Sequence, residues 1–344
     1  MNTQISNPLC SVIVPCYKSE RVIERIVADI AAQTYVNYEI IIVSNGEGQQ
    51  KQLLLLNKMT ALFKDKMQVV SVDFGNLANA RYIGLEKAHG EWVAFVDADD
   101  RLDANHLELL MSKADADADM VIGGYYRCDS CGNCVRLVKM VPDCSIEQIE
   151  ILISCAWNKL YRASFLRKGI DWADRRFVRG QDSVLNARLI TSYSPNIRFI
   201  EMSGYRYLVN MDNYRIAKYV PNYLEMKKAQ VSLVCNFIRN YYFGTYSSSE
   251  VEAYTAREIC ISYFENARNI FRKGSPYRFN SACAELRETI FNNEEIPRFI
   301  SELPKQSLKY RIYKALYRIG SPTIMAIGVL LSEKVNAIYR GMFR

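Results

Sequence analysis

The chain has 344 residues, of which 49% are hydrophobic and 24% are charged, and its formal net charge is +7. This length and apolar content fit one large globular domain with an appendage. Ten cysteines follow a polar start without an apolar leader, so we expect free thiols in a cytoplasmic protein and exclude a disulfide-bonded secreted scaffold.

Strands and helices are predicted to alternate through the first hundred residues. Apolar runs predict strands at residues 11–15, 39–43, 67–72 and 92–96. Helices are predicted at 19–30 and 76–88, and Ser19 and Glu20 fit the N-cap and the first-turn acid of the first. This alternation is typical of βαβ units in a largely parallel sheet.

The strand at 92–96 runs directly into Asp97, Asp99 and Asp100. The carboxyl ends of parallel strands open onto the ligand crevice of an α/β sheet. Mg²⁺ and Mn²⁺ prefer oxygen ligands and are commonly held by one or two carboxylates together with substrate phosphates. The pattern therefore predicts a site for a divalent cation and a diphosphate. The alternative is a turn and N-cap for a helix at 103–111.

Five short blocks of sequence occur in a characteristic order along the chain. They are SVIVPCY at 11–17, YEIIIVSNG at 38–46, ARYIG at 80–84, FVDADD at 95–100, and WNKLY at 157–161 with GQD at 180–182. In order and spacing they resemble glycosyltransferase family 2, which implies the Rossmann-like GT-A fold: α/β, with a mixed, mainly parallel sheet flanked by helices. No Gly-x-Gly-x-x-Gly follows the first strand, which disfavours a nicotinamide-dependent dehydrogenase.

The resemblance implies a site for a nucleotide-sugar donor, expected to be a UDP-sugar. The matched donor-binding positions are Pro15, Tyr17, Glu20, Ser44, Asn45, Arg81, Asp97 and Ala98. Ser44 and Asn45 stand where family members usually carry two aspartates, so the nucleobase is left open, although the Asn45 amide still offers an acceptor oxygen. Tyr82 replaces a common asparagine, and we expect it to pack in the protein.

Carried over to this chain, the resemblance also assigns the catalytic carboxylates. Asp97 would contact ribose or metal, and Asp99 would be the principal ligand of Mn²⁺ or Mg²⁺. The cation would stabilise the charge that the leaving nucleoside diphosphate gains. Asp182 would be the base that takes the proton from an acceptor hydroxyl, with inversion at the anomeric carbon. The alternative role for Asp182 is a helix N-cap, and Gln181 replaces the usual Glu before it.

The acceptor side of the family's site corresponds to Trp157, Asn158, Lys159 and Gln181. A tryptophan offers a broad apolar face for a sugar ring and an N–H donor. A tryptophan packed in the core is the equally favoured alternative.

Cys128, Cys131 and Cys134 form a C-x-x-C-x-x-C pattern, with Cys144 nearby. Such spacing can hold zinc or an iron–sulfur cluster. The flanking residues 120–127 and 135–140 read instead as two strands of a hairpin. We therefore predict free hairpin thiols, with a structural metal as the alternative.

Long helices are predicted at 219–242 and 248–273, followed by a basic tail. Residues 305–344 contain eight basic residues and one acid, which accounts for the whole net charge of +7. The apolar run at 324–331 is too short to span a bilayer. A basic amphipathic segment of this kind fits an anionic membrane surface. The alternatives are packing on the protein's own domain and, less favoured, nucleic acid.

The sequence thus predicts a GT-A catalytic domain at 1–212, a helical extension at 213–304 and an amphipathic tail at 305–344. The predicted function is inverting, metal-dependent transfer of a sugar to a glycan or lipid-linked acceptor in cell-surface polysaccharide synthesis. It would act at the cytoplasmic membrane face without a nucleic-acid partner. The alternative is a non-catalytic member of the fold that binds nucleotide-sugar or scaffolds a membrane assembly, and Ser44, Asn45 and Gln181 keep it open.

Overall fold

A computed structural model describes residues 7–73, 76–129, 131–141, 152–169, 180–209, 218–242, 245–304 and 307–342. These residues form two compact units, and the boundary falls after Val209. The first unit is built on a β-sheet, and the second is helical.

The sheet of the first unit has nine strands in the described part of the chain. They are β1 (Cys10–Cys16), β2 (Tyr38–Asn45), β3 (Met67–Val72), β4 (Trp92–Phe95), β5 (Arg101–Leu102), β6 (Met120–Cys128), β7 (Cys134–Val138), β8 (Lys159–Arg162) and β9 (Ile197–Leu208). Their order is β3-β2-β1-β4-β8-β6-β9-β5, with β7 paired to β6. The first four strands of that order are parallel, and β8 joins β4 and β6 in antiparallel fashion.

Six helices accompany the sheet in the described residues. They are α1 (Ile23–Ala31), α2 (Gln50–Phe63), α3 (Leu77–Lys87), α4 (His106–Met111), α5 (Ala163–Leu166) and α6 (Gln181–Tyr193). Strand β1 is buried along its whole length, as expected for a strand covered on both faces. Gly84 lets α3 lie close to β1, because a Cβ at that position would stand 2.3 Å from the Ile13 side chain.

The second unit contains α7 (Tyr223–Tyr241), α8 (Ser248–Ile270), α9 (Phe279–Leu286), α10 (Glu295–Phe299), α11 (Leu308–Ile319) and α12 (Pro322–Met342). Helix α8 begins with a capping box formed by Ser247 and Glu250. The core of the second unit includes Phe264, Met325 and Val329. The Phe264 ring stacks on Tyr313, with 5.3 Å between the ring centres.

The predicted elements overlap those of the structure, but several elements, among them α2, β5, β8 and β9, were not predicted, and two predictions need correction. The strand predicted at 67–72 is confirmed residue for residue. The N-cap assigned to Ser19 is wrong: α1 begins at Ile23, and it is the Ser19 carbonyl that accepts the Val22 and Ile23 N–H groups.

The second correction concerns the tail predicted at 305–344. Helix α11 and the first part of α12 contribute side chains to the core of the second unit, so the predicted boundary between 304 and 305 does not separate a free tail from that unit. In the described part of the chain, no helix is both long and apolar enough to cross a membrane.

Candidate active site

The parallel strands β1, β2 and β4 are neighbours, so their carboxyl ends meet at one edge of the sheet. Tyr17, Asn45 and Asp97 are therefore brought to the same edge, as the strand pattern predicts. Tyr17 is 38% exposed, and its ring lies against Gly46, where a Cβ would stand 2.6 Å from it. Gly46 has φ 103°, a left-handed conformation that favours glycine.

Ser44 and Asn45 end β2 as buried residues, and two glutamines of the following segment bond to them. Gln52 donates to the Ser44 hydroxyl at 2.7 Å, and Gln49 donates to the carbonyl oxygens of Asn45 and Gly46. Gln52 also accepts the backbone N–H of Ser19 at 2.7 Å. A neutral amide network thus occupies the place where two carboxylates are usual.

The three carboxylates after β4 have different environments. Asp99 is exposed, the Asp97 side chain is 26% exposed, and Asp100 is buried. Asp100 accepts the Tyr205 hydroxyl at 2.7 Å and the Leu208 N–H at 2.8 Å, and the Tyr205 oxygen in turn accepts the Asp97 N–H at 3.1 Å. Asp100 and Tyr205 therefore fix the turn that carries Asp97 and Asp99.

Burial shifts the pKa values of two carboxyl groups in this turn, Asp97 and Asp100. It raises the pKa of Asp97 to about 6, although the Arg81 charge acts in the opposite direction. Burial, together with the charges of Asp97 and Asp99, raises the pKa of Asp100 well above its usual range. The three acids thus differ in exposure, and the shifted pKa values of Asp97 and Asp100 are of a kind common where a site binds a ligand.

Arg81 on α3 joins this turn to Asp182. Its side chain is 2% exposed, Nη2 donates to Asp97 at 3.1 Å, and Nη1 donates to Asp182. The guanidinium also lies 5.4 Å from the centre of the Phe95 ring. A buried arginine needs such partners, and two carboxylates from distant parts of the chain supply them.

Asp182 lies in the first turn of α6 but does not cap that helix. The cap position is Gly180, in the left-handed conformation with φ 67°, and its helix has no side-chain cap. The Asp182 carboxylate instead accepts from Arg81 and, through Oδ2, from the Ala156 N–H at 3.0 Å. The alternative of an N-cap for Asp182 is therefore wrong.

The residues predicted on the acceptor side are mostly inside the protein. Trp157 is 5% exposed and stacks on Tyr205 and Tyr207, with ring centres 4.4 Å and 5.2 Å away. Asn158 and Lys159 are fully buried, so an acceptor does not reach their side chains in this structure. Gln181 is partly exposed beside Asp182.

The cysteine hairpin is formed by β6 and β7, with Cys128 and Cys134 as opposite residues. Cys128 is buried, whereas Cys131 and Cys134 are exposed free thiols. Within the described ranges, no group of three or more His, Cys, Asp or Glu residues is arranged to hold a metal ion. Cys144 lies outside those ranges.

Residues 11–171 match the family described as Glycosyl transferase family 2. This segment belongs to glycosyl transferase family 2. Glycosyltransferase GlyG of Streptococcus pneumoniae serotype 4 is 31% identical over 150 residues, which is 42% of this chain and 48% of GlyG. Uncharacterized glycosyltransferase EpsJ of Bacillus subtilis is 22% identical over 272 residues, or 76% of this chain and 78% of EpsJ.

The chain spans about half the length of GlyG and 30% of the length of GlyA, another S. pneumoniae glycosyltransferase. Among solved structures, S. aureus TarS 1–349 superposes with a TM-score of 0.55 at 17% identity, over 94% of this chain and 91% of that one. Its complex with UDP-GlcNAc gives a TM-score of 0.54 at 18% identity. This likeness confirms the GT-A fold.

The carboxylates of the family 2 domain fit a hard divalent cation. Asp99 is exposed at the sheet edge, and Asp97 uses Oδ1 for Arg81, so the two residues offer oxygen ligands of the kind Mn²⁺ and Mg²⁺ prefer. Two protein carboxylates leave the remaining positions to water and phosphate oxygens. This number of ligands suits a cation that arrives with a diphosphate.

Several residues of this site were not predicted from the sequence: Gln49, Gln52, Asn186, Tyr205 and Tyr207. Tyr205 and Tyr207 carry a weak signal, since residues two apart on a strand share a face. The glutamines carry none, because a buried amide at or near the start of a helix looks like any other polar residue in the sequence. Their role appears only when β2 and the turn after β1 are brought together.

Proposed function

We propose that this chain is an inverting, metal-dependent glycosyltransferase that moves a sugar from a nucleotide-diphosphate donor to a hydroxyl of a glycan or lipid-linked acceptor. The observation that carries the proposal is the buried Arg81, which links Asp182 to Asp97 in the turn after β4. Burying an arginine between two partly buried acids is costly for packing alone. At the carboxyl edge of an α/β sheet, such a group favours catalysis.

In this proposal Asp182 takes the proton of the attacking acceptor hydroxyl, as a general base. Arg81 and the Ala156 N–H hold its carboxylate by both oxygens, which fixes the direction from which the hydroxyl approaches. Attack opposite the leaving diphosphate inverts the anomeric carbon. Mn²⁺ or Mg²⁺ held by Asp97 and Asp99 would neutralise the charge of that diphosphate.

The donor is proposed to lie along the edge from Tyr17 to Asp99. Tyr17 presents an exposed ring for the nucleobase, and the partly exposed Gly46 beside it offers an uncharged carbonyl oxygen, whereas Ser44 and Asn45 lie buried behind it. Pro15, Glu20 and Ala98 complete the proposed donor side, with a UDP-sugar as the first candidate. The half-buried Tyr207, rather than the covered Trp157, is the ring that remains for a sugar.

The test is a panel of UDP-GlcNAc, UDP-glucose and GDP-mannose, measured for binding and hydrolysis with Mn²⁺ and with EDTA. The proposal predicts that one donor binds far more tightly with Mn²⁺ and is slowly hydrolysed to the inverted sugar, as judged by NMR of the anomeric proton. Metal-dependent binding without any hydrolysis or transfer would support the non-catalytic alternative. Hydrolysis with retained configuration would contradict the inverting mechanism.

We also propose that the second unit contacts an anionic membrane at the cytoplasmic face through one surface of α11 and α12. Leu308, Ile312 and Ile319 of α11 are 68%, 46% and 56% exposed, at spacings that place them on one side of a helix. Arg311 and Arg318 are exposed beside them. On α12, the exposed apolar residues are Ile324, Ile327 and Leu331.

Charge favours a bilayer over a second copy of the chain as the partner of this surface. Two copies would bring like-charged arginines together, whereas anionic lipid attracts each of them by about 1 kcal/mol. The opposite faces of the helices pack in the core through Tyr313, Met325 and Val329. Deleting residues 305–344 would therefore open that core, and surface variants are the sharper test.

Sedimentation with phosphatidylcholine vesicles, with and without phosphatidylglycerol, tests the surface. Binding is expected only with the anionic lipid and should weaken as salt rises. Arg311→Gln with Arg318→Gln should reduce it, while Arg287→Gln with Arg298→Gln, on other elements of the same unit, should not. An equal loss of vesicle binding in both double variants, or dimerisation of the free protein through this surface, would contradict the assignment.

A further inference from the structure

The peptide group between Cys155 and Ala156 is hydrogen-bonded at both ends. Its N–H donates to Oδ2 of Asp182 at 3.0 Å. Its carbonyl oxygen accepts from Nζ of Lys159 and from Nδ2 of Asn186, the latter at 3.1 Å. One peptide plane thus stands between a lysine ammonium and the carboxylate proposed as the catalytic base.

Lys159 is rigidly held at this position. Its side chain is fully buried, and Nζ also donates to the Asn158 amide oxygen at 2.7 Å. Asn158 is anchored in turn, because its Nδ2 donates to the Gly123 carbonyl at 2.9 Å. Among the described residues, both hydrogen-bond acceptors of the ammonium are neutral oxygens, so the nearest carboxylate acts on its charge only through space.

Asn186 secures the same peptide from the other side. Its Nδ2 donates to the carbonyl oxygens of Ile153 and Cys155, and its Oδ1 accepts the Tyr161 hydroxyl at 2.8 Å. Asn186 lies on α6, one turn after Asp182, so the helix that carries the carboxylate also grips the segment that binds it. The separation between the Ala156 N–H and Asp182 is thereby fixed at two points.

A cation at a carbonyl oxygen polarises the whole peptide and makes its N–H a stronger donor, because hydrogen bonds in a chain reinforce one another at low dielectric. We propose that Lys159 is a positioning residue for the reaction, acting through the Cys155–Ala156 peptide to orient the Asp182 carboxylate and moderate its basicity. This inference rests on the proposed role of Asp182 as the base. It gives Lys159 a function that does not require contact with substrate.

The charge of Lys159 is expected to be lost in an accessible pH range. Burial lowers its pKa to about 8, while Cys155 and Asp182 favour the charged form and Arg81 opposes it. Below about pH 8 the ammonium is present and the peptide is polarised. Above it the neutral amine is a weaker donor, and the Ala156 N–H should bind Asp182 less strongly.

Isotope labelling can observe this peptide together with only one other peptide of the chain. With carbonyl-¹³C cysteine and ¹⁵N alanine, only Cys-Ala pairs give a signal, and the chain has two: Cys155–Ala156 and Cys283–Ala284. The Ala156 signal should shift with a single midpoint near pH 8, whereas the Ala284 signal should not. The Cys155 thiol does not interfere, because burial raises its pKa to about 11.

Lys159→Met, a neutral side chain of similar length, should abolish the shift of the Ala156 signal. If the wild-type Ala156 signal does not titrate near pH 8, or titrates equally in Lys159→Met, the inference is overturned. The wild-type titration alone decides the matter if the variant does not fold. Because neither measurement uses a donor or an acceptor, the result is independent of whether the proposed function is correct.

Kinetics distinguish positioning from a general structural role. In Lys159→Met, kcat should fall about tenfold with less than a twofold change in donor KM, and the acid limb of the kcat profile should move up by on the order of one pH unit. A fall in kcat with an unchanged pH profile would mean that Lys159 only supports packing.

Discussion

Arg81 donates a hydrogen bond from Nη1 to Asp182 and another from Nη2 to Asp97, although the two acids are 85 positions apart in the chain. The pair Arg81–Asp182 therefore fastens the helix bearing the base candidate to the helix that follows β3. Because Arg81 is 2% exposed, neither link is screened by water as a surface ion pair would be.

Asp182→Asn should separate donor binding from transfer. Asparagine keeps the shape but cannot take up the proton, so transfer should fall by roughly 10²–10⁴ while donor affinity in Mn²⁺ stays within a few-fold. Initial rates and calorimetry measure the two quantities. Asp115→Asn, which breaks an exposed pair with Arg198, is the matched control and should leave both unchanged. Full turnover in Asp182→Asn would show that another group is the base.

Asp99→Ala should remove most of the metal dependence of nucleotide binding. Asp99 is an exposed carboxylate, and alanine leaves Asp97 alone to hold the cation. UDP affinity should fall strongly in Mn²⁺ and little in EDTA, which calorimetry under both conditions can show. If the wild-type protein binds UDP equally in Mn²⁺ and EDTA, the metal assignment fails.

Tyr205→Phe should loosen the turn that carries Asp97 and Asp99. The change leaves the Asp100 carboxylate without its 2.7 Å hydroxyl partner and the Asp97 N–H without its acceptor. Loss of a buried hydrogen bond should lower the free energy of unfolding by about 1–3 kcal/mol and weaken Mn²⁺-dependent binding. Tyr161→Phe, which removes a buried bond to Asn186 instead, should destabilise without the same loss of metal dependence.

The sequence predicts β1 to β4, the β6–β7 hairpin and the carboxylates after β4, because a buried parallel strand and its acidic end both leave local patterns. Asp97 and Asp99 follow from that pattern, whereas Asp182 and Arg81 were named only through the family resemblance. The contacts of Arg81, Ala156 and Tyr205 with these acids are not readable from the sequence, since they depend on the order of the sheet. Trp157 shows the same limit: its aromatic character was readable, but the tyrosines that cover it come from β9.

The packing of α11 and α12 was also beyond the sequence pattern. The basic and apolar residues of 305–344 describe an amphipathic helix equally well on a membrane and on a protein core. Tyr313 is 1% exposed and Ile312 is 46% exposed, so neighbouring residues of one helix face opposite environments. Only the contact with Phe264 tells which face is inside.

The pH dependence of stability should report His106, one of two histidines in the chain. His106 is fully buried in α4, its Nδ1 lies 2.6 Å from the Ser203 carbonyl, and Nε2 has no partner among the described residues. Burial lowers its pKa from 6.5 to about 4. The unfolded chain therefore binds a proton at a pH where the folded protein does not.

The direction of the pH dependence follows from the difference between the His106 pKa values of the folded and unfolded states. The contribution of His106 to stability is fully present above about pH 6.5 and is lost as the pH falls towards about 4, by about 3 kcal/mol in total. Asp97, whose pKa is raised to about 6, has the opposite slope, because the folded protein binds its proton first. A variant is therefore needed to isolate the histidine.

His106→Asn keeps a donor near the Ser203 carbonyl but cannot be protonated. It should lower stability at neutral pH and, below about pH 6.5, lose less stability than the wild type, so the two curves converge. Urea unfolding followed by tryptophan fluorescence reports the first unit, since all three tryptophans lie before residue 176. The exposed His89, replaced by Asn, is the control that measures how much of the slope a surface histidine contributes. Parallel curves for wild type and His106→Asn would show that the buried imidazole takes up its proton as readily in the folded protein as in the unfolded chain.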